Sequence, residues 1–164
     1  MKTLLLGLGN PIRGDDGVGW VVIEKVREVL ESRPASAVDG PSVEIDTASL
    51  GGLSLMERLT DSERVILVDA IFTATRPVGT VSKFMLSELP DLSAGHSASP
   101  HDTSLRNALN LGRGMDISLP EDENVFIVAI EAKNVYDFSE ELSPAVTEAV
   151  PLAVKAVMEL IDQP

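Results

Sequence analysis

Residues 7–19 read GLGNPIRGDDGVG and join an apolar run to a segment with helical spacing. A glycine-rich turn between a strand and a helix usually presents backbone N–H groups and the positive end of the helix to a phosphate. The adjacent carboxylates of Asp15 and Asp16 would repel a phosphate and attract a cation instead. The segment therefore predicts a strand–turn–helix unit that holds a metal or acid–base site. We also expect at least one of the two aspartates to cap the following helix.

Apolar strand-like runs alternate with amphipathic segments along the chain, which predicts a parallel sheet with helices on both faces. We expect strands at Thr3–Leu8, Val43–Thr47, Arg64–Val68, Thr80–Met85 and Val125–Ile130. We expect helices at Val18–Leu30, Leu53–Leu59, from His101 onward and about Ser143–Ile161, and loops at Ser32–Pro41, Pro90–Pro100 and Gly112–Asn124. In the last helix, Ser143 is the expected cap, Pro144 lies in the first turn and Pro151 introduces a kink. The predicted fold is a single α/β domain, 1–164, with a twisted, mostly parallel sheet in a three-layer sandwich.

The charge and the amino-acid composition exclude several classes of function. Twenty-six acidic against thirteen basic residues give a net charge of −13, which disfavours nucleic acid and anionic membranes as partners. The chain has no cysteine, so it has no disulfide, thiolate metal site or cysteine nucleophile. The amino end, residues 1–6, contains an apolar run that is too short for a signal-peptide core or a membrane span. We expect a cytoplasmic protein and, because the apolar stripes form one self-contained core, a monomer.

Three positions with suitable chemistry fall where an open parallel sheet collects its ligands, beyond the carboxyl ends of the strands. The first is the acidic pair of the glycine-rich turn, and the second is Asp69, which follows the apolar run Val65–Val68. The third is His101, in the first turn of a predicted helix. A single histidine is usually an ordinary surface or capping residue. Two carboxylates and an imidazole that meet in one crevice would, however, form an oxygen and nitrogen ligand set with open positions.

These segments resemble one family, the hydrogenase maturation endopeptidases, which trim the carboxyl terminus of the nickel-iron hydrogenase large subunit. The motifs that carry the resemblance occur in the same order: 7–10, the acidic pair with Gly17 and Gly19, 68–70, 99–101, 128–131 and 141–144. The resemblance covers nearly the whole chain. It implies a nickel-dependent endopeptidase of α/β fold, without a resident cofactor, that contacts nickel already inserted in the large-subunit precursor. By this resemblance, the nickel-contacting and catalytic positions fall on Asp16, Asp69 and His101.

The residues themselves leave several alternatives open. No Ser-His-Asp set can be assembled and cysteine is absent, so a hydrolase of this sequence would use water as the nucleophile. The turn around Gly7 and Gly9 also fits, weakly, a Rossmann-like small-molecule-binding module, although Ile12 stands where the dinucleotide fingerprint has glycine. A nickel-checking chaperone without catalytic activity is a further alternative. A self-sufficient zinc protease lacks support, because the sequence has no His-Glu-x-x-His helix.

Overall fold

The protein is described by a computed structural model that covers residues 2–34, 42–88 and 100–163. Within residues 100–104 the description is limited to the helical backbone. The strands are β1 Lys2–Leu8, β2 Ser42–Ala48, β3 Arg64–Ile71, β4 Val81–Met85 and β5 Val125–Glu131. The helices are α1 Val18–Glu31, α2 Gly52–Arg58, α3 Pro100–Gly114 and α4 Pro144–Asp162. Short 3₁₀ turns occupy Gly14–Gly17, Leu86–Glu88 and Asp122–Asn124.

The five strands form one sheet in the order β2-β1-β3-β5-β4. The first four are parallel neighbours, and β4 pairs with β5 in the antiparallel direction at one edge. All eight residues of β3 are buried, as expected for a strand covered on both faces. The predicted fold class, a mostly parallel sheet with helices on both faces, is confirmed.

The alternation of side chains along the strands divides the core into two clusters. One cluster contains Leu5, Ile66 and Val128 together with the apolar faces of α1 and α4. The other contains Leu6, Leu67 and Ile127 together with the apolar faces of α2 and α3. Helices α1 and α4 therefore cover one face of the sheet, and α2 and α3 cover the other.

The strand and helix predictions are confirmed with small shifts at their ends. The largest shift is in β3, which continues through Asp69 to Ile71, so the carboxylate lies within the strand and not after it. Most of the loop predicted at 90–100 and the part of the first loop at 35–41 lie outside the described residues. In the described ranges no helix has the length and apolar character needed to span a membrane.

The last helix begins as predicted, with Ser143 at the N-cap position and Pro144 in the first turn, and it continues through Pro151. The Ser143 hydroxyl, however, does not cap this helix. It donates instead, at 2.8 Å, to the carboxylate of Asp15, which lies near the amino end of the chain. The prediction of a kink at Pro151 stays a prediction.

Candidate active site

A polar cavity of about 270 Å³ lies at the carboxyl ends of the parallel strands. Its lining comes from the turn after β1 and the segment after β2: Gly9, Asn10, Arg13, Asp16, Ser49, Leu50 and Gly51. We call it the Asp16 cavity. The Asp16 side chain is half-buried, and its Oδ2 accepts a hydrogen bond of 2.9 Å from the Asn10 backbone N–H. This bond holds the carboxylate at the cavity wall.

Glycines in this turn allow the backbone approaches that bring Asp16 to the cavity. Gly9 has φ +121°, and a Cβ there would lie 1.9 Å from the Asp16 carbonyl oxygen. A Cβ on Gly19 would lie 2.5 Å from the carbonyl oxygens of both Leu8 and Val68. These glycines therefore serve the tight turn and the close packing of α1 against β1 and β3. The pattern does not require a phosphate ligand.

Asp15, next to Asp16 in sequence, faces away from the cavity and is fully buried. Its Oδ1 accepts from the Ser143 N–H at 2.6 Å, and its Oδ2 accepts from the N–H groups of Lys133 and Asn134 and from the Ser143 hydroxyl. Burial acts to raise the pKa of this carboxyl, but the backbone bonds from Asn134, Ser143 and Lys133 and the Ser143 hydroxyl outweigh it and lower the pKa. Asp15 thus ties the segment after β5 to the turn after β1.

The expectation that one of the two aspartates caps α1 is wrong. Gly17 occupies the N-cap position of α1, and no side chain bonds to the cap there. The 3₁₀ turn Gly14–Gly17 precedes the helix and continues into it, and both aspartates lie within that turn. Their carboxylates accept hydrogen bonds from other groups: Asp16 from the Asn10 N–H, and Asp15 from the segment after β5.

Asp69 lies on β3, the central strand beside β1, and only 2% of it is exposed. The register pairs Gly7 with Val68, so Asp69 stands level with the last residue of β1, immediately before the glycine-rich turn. The alternation along β3 directs Asp69 to the face covered by α2 and α3, together with Leu67 and Ile71. The structure thus brings Asp69 and the Asp16 turn to the same edge of the sheet.

The backbone of His101 lies in the first turn of α3, on the face toward which Asp69 points. Because α3 leads through residues 115–124 into the start of β5, the helix runs against the parallel strands and begins toward their carboxyl edge. The His101 side chain lies outside the described residues. In the described ranges no three His, Cys, Asp or Glu side chains are grouped closely enough to hold a metal ion. The set Asp16, Asp69 and His101 therefore stays a prediction.

A buried glutamate that the sequence analysis did not select also lies at this edge. Glu131 ends β5, pairs in register with Ile71 and is 1% exposed. Its Oε1 accepts hydrogen bonds from the Thr73 N–H at 2.9 Å, the Thr73 hydroxyl at 2.8 Å and the Ala74 N–H at 3.0 Å. Its Oε2 is buried and accepts no hydrogen bond in the described part of the chain. Glu131 therefore fixes the turn that leaves β3 just beyond Asp69.

Two further cavity residues were missed because their role depends on tertiary contacts. Ser49 donates from its hydroxyl to the Gly9 carbonyl at 2.5 Å, which joins the two walls of the Asp16 cavity. Arg13 brings a guanidinium to the same cavity, and that group lies 5.7 Å from the centre of the Tyr136 ring. The sequence held one signal for Arg13, its place within the same turn as the acidic pair. Nothing local identified Ser49.

The arrangement offers carboxylates at the end of a buried strand and in an accessible cavity, beside rigid backbone. A carboxylate in such a place can bind a metal ion or accept a proton from water. The glycine-rich turn does not present an open phosphate cradle, since Asp16 lines its cavity side. These features favour hydrolysis over nucleotide binding.

Comparisons with known proteins identify the family of this chain. Residues 22–160 match the family model described as HycI, hydrogenase maturation protease. The chain is 23% identical over 161 residues to the hydrogenase expression/formation protein HupD of Rhizobium leguminosarum bv. viciae, covering 98% of this chain and 74% of HupD. The structure of the hydrogenase maturating endopeptidase HybD from Escherichia coli superposes with a TM-score of 0.74 at 23% identity, covering 98% and 91% of the two chains. That of the [NiFe] hydrogenase maturation protease HybD from Thermococcus kodakarensis gives 0.71 at 24% identity, covering 99% and 100%. The family and the endopeptidase class predicted from the sequence are thereby confirmed, and the chain belongs to the hydrogenase maturation protease family.

Proposed function

We propose that this endopeptidase removes the carboxyl-terminal extension of a nickel-iron hydrogenase large-subunit precursor after nickel has been inserted. The nickel belongs to the precursor, and Asp16, Asp69 and His101 bind it. The observation that carries the proposal is the Asp16 carboxylate in a 270 Å³ cavity at the sheet edge that Asp69 also reaches. The backbone of His101 begins a helix on the Asp69 side of the sheet, which supports the same set.

The chemistry of the proposal is hydrolysis of one peptide bond. Water adds to the scissile carbonyl carbon, the C–N bond breaks, and the new amine leaves with a proton. With no cysteine in the chain, water is the nucleophile, and a carboxylate of the site takes a proton from it. Bound nickel supplies positive charge that holds the precursor and polarises the groups it touches. The fixed turns at Gly9 and Thr73 keep the carboxylates in place while the precursor docks.

The proposal also covers place and partners. The protein acts in the cytoplasm as a monomer, on the precursor and without nucleic acid or membrane. Its net charge of −13 supports the exclusion of nucleic acid and anionic membranes. Size-exclusion chromatography and cell fractionation test the oligomeric state and the location.

Intact-mass spectrometry of the purified nickel-loaded precursor tests the function. The wild type should shorten the precursor at its carboxyl end, and neither His101→Ala nor a nickel-free precursor should give the product. Asp137→Asn, a substitution at an exposed position outside the proposed set, is the control and should act like the wild type. Cleavage by His101→Ala at the wild-type rate contradicts the proposed nickel set. A stable complex that is never shortened would favour the chaperone.

A further inference from the structure

Arg13 is the cationic group of the Asp16 cavity, in a chain where acidic residues outnumber basic ones two to one. Most arginines of this chain form ion pairs with Asp or Glu carboxylates. Those in ion pairs are Arg27, Arg33, Arg58, Arg106 and Arg113. The Arg13 guanidinium, in contrast, makes no ion pair and donates no hydrogen bond to any residue in the described ranges. Arg13 thus lines the Asp16 cavity with guanidinium donors that no described residue uses.

The position of Arg13 is nevertheless fixed from both sides. Its backbone N–H donates to the Asn10 carbonyl at 3.1 Å, and its carbonyl accepts from the Asp16 N–H at 3.2 Å. It also forms a backbone bridge with Ser139, and its guanidinium lies 5.7 Å from the centre of the Tyr136 ring. A cation over an aromatic face is held without using its N–H donors. The five donors therefore remain available to a ligand in a fixed fork.

The Asp16 cavity thus presents two opposite charges, an aspartate and an arginine. A guanidinium in the same cavity weakens the attraction of Asp16 for a free metal cation. The pair instead suits a ligand that carries both a cationic centre and an anion. A planar carboxylate is the anion that matches the arginine fork through two parallel hydrogen bonds.

We propose that Arg13 binds a carboxylate of the precursor's carboxyl-terminal segment and so determines which precursors the enzyme accepts. The inference rests on the proposed function. The carboxylate comes either from the free end of the precursor or from an acidic side chain in its extension. Arg13 acts in binding, and the chemical step belongs to the other site residues.

The test compares the wild type with Arg13→Gln, Arg13→Lys and a matched control, Arg27→Gln, which removes a partly exposed arginine of α1 that lies outside the cavity. Each is assayed on three nickel-loaded precursors: unaltered, amidated at the carboxyl end, and with acidic residues of the extension changed to their amides. We expect Arg13→Gln to raise KM for the unaltered precursor about tenfold or more, with kcat within about twofold. The KM of Arg13→Lys should lie between those of the wild type and Arg13→Gln, because the lysine ammonium is a point charge and lacks the planar fork of donors. The KM of Arg27→Gln should match that of the wild type.

The altered precursors identify the source of the carboxylate. Removing the partner carboxylate should raise KM for the wild type by a similar factor and have no further effect on Arg13→Gln. Coupling with the amidated precursor identifies the free end, and coupling with the altered side chains identifies an acidic residue. A KM for Arg13→Gln within twofold of the wild type overturns the inference. So does a result in which both altered precursors raise KM for Arg13→Gln by the same factor as for the wild type, because the substitution and the lost carboxylate would then act independently.

Binding measurements separate this inference from the proposed function. The Kd of each enzyme variant for each precursor is measured by biolayer interferometry and compared with the corresponding trimming rate. A wild type that binds the precursor without trimming it contradicts the proposed cleavage, while the Kd ratio of wild type to Arg13→Gln still decides the role of Arg13. A wild type that neither binds nor trims overturns both.

Discussion

Replacing Asp15 with asparagine should destabilise the fold by about 3 kcal/mol, although its neighbour Asp16 carries the proposed chemistry. The substitution keeps the size of the side chain and removes its charge. Asp15 accepts four hydrogen bonds of 2.6–3.1 Å, three of them at Oδ2. An asparagine can place its one acceptor oxygen at the Oδ2 position, which leaves its NH₂ group facing the Ser143 N–H. One buried donor then loses its partner.

The magnitude follows from these contacts. An orphaned buried donor costs about 1–3 kcal/mol, and each of the other three bonds weakens by about 1 kcal/mol when the acceptor loses its charge. Relief of the burial penalty on the charged carboxylate offsets part of this loss, as its opposing effect on the Asp15 pKa indicates. A net loss of about 2–4 kcal/mol is a large fraction of the roughly 5–15 kcal/mol that typically stabilises a domain.

Urea denaturation at pH 7 measures the difference, with Asp137→Asn as the control. Asp137 is exposed, and its substitution should change stability by less than about 0.5 kcal/mol. The pKa of Asp15 is lower in the folded state than in the unfolded chain. Its stabilisation is therefore complete above the unfolded pKa, about 3.9, and is lost as the pH falls through the lower folded value. The difference in the free energy of unfolding between the wild type and Asp15→Asn should therefore become smaller below about pH 4.

Two results would refute this reasoning. One is an Asp15→Asn protein within 1 kcal/mol of the wild type at pH 7, which would mean that the four contacts contribute little. The other is a difference in the free energy of unfolding between the two proteins that stays constant as the pH falls below about 4. The effect would then come from side-chain shape and not from the charged, hydrogen-bonded carboxylate.

Three further predictions, at Asp16, Gly9 and Glu131, follow from the site. Asp16→Asn should lower the trimming rate at least about a hundredfold while the urea midpoint hardly moves, and a fall of less than tenfold would count against its role. Gly9→Ala should cost more than about 2 kcal/mol in urea denaturation and also reduce trimming, because of its φ of +121° and the 1.9 Å approach to a carbonyl oxygen. Gly114→Ala, whose Cβ would meet nothing within 4 Å, is its control and should be nearly neutral. Glu131→Ala should destabilise by about 2–4 kcal/mol, since it orphans the donors of the turn after β3, and Glu131→Gln should cost less because it keeps one acceptor; equal losses would contradict this assignment.

The sequence predicted the sheet well because parallel strands buried on both faces read as continuous apolar runs. Val65–Val68 is such a run, and the periodic valines of α1 equally identify a helix that covers one face. The prediction ended β3 at Val68 because a carboxylate usually ends a buried strand. Asp69 instead continues the ladder, with Ala129 as its register partner, and is buried on the α2 and α3 face. A polar residue that interrupts the apolar pattern therefore does not mark the end of this strand.

The two adjacent aspartates show why the rest of the site required the structure. A local capping rule treats Asp15 and Asp16 alike, since both precede α1 and both are acidic. Their roles separate only through distant partners, because the groups that bind Asp15 lie 118–128 residues further along the chain. That contact anchors the turn from its buried side, and so the neighbouring Asp16 is left on the cavity side, where Asn10 holds it. The accessible carboxylate of the site is therefore positioned by a buried one, and substitutions that loosen the segment after β5 should weaken activity without touching the precursor.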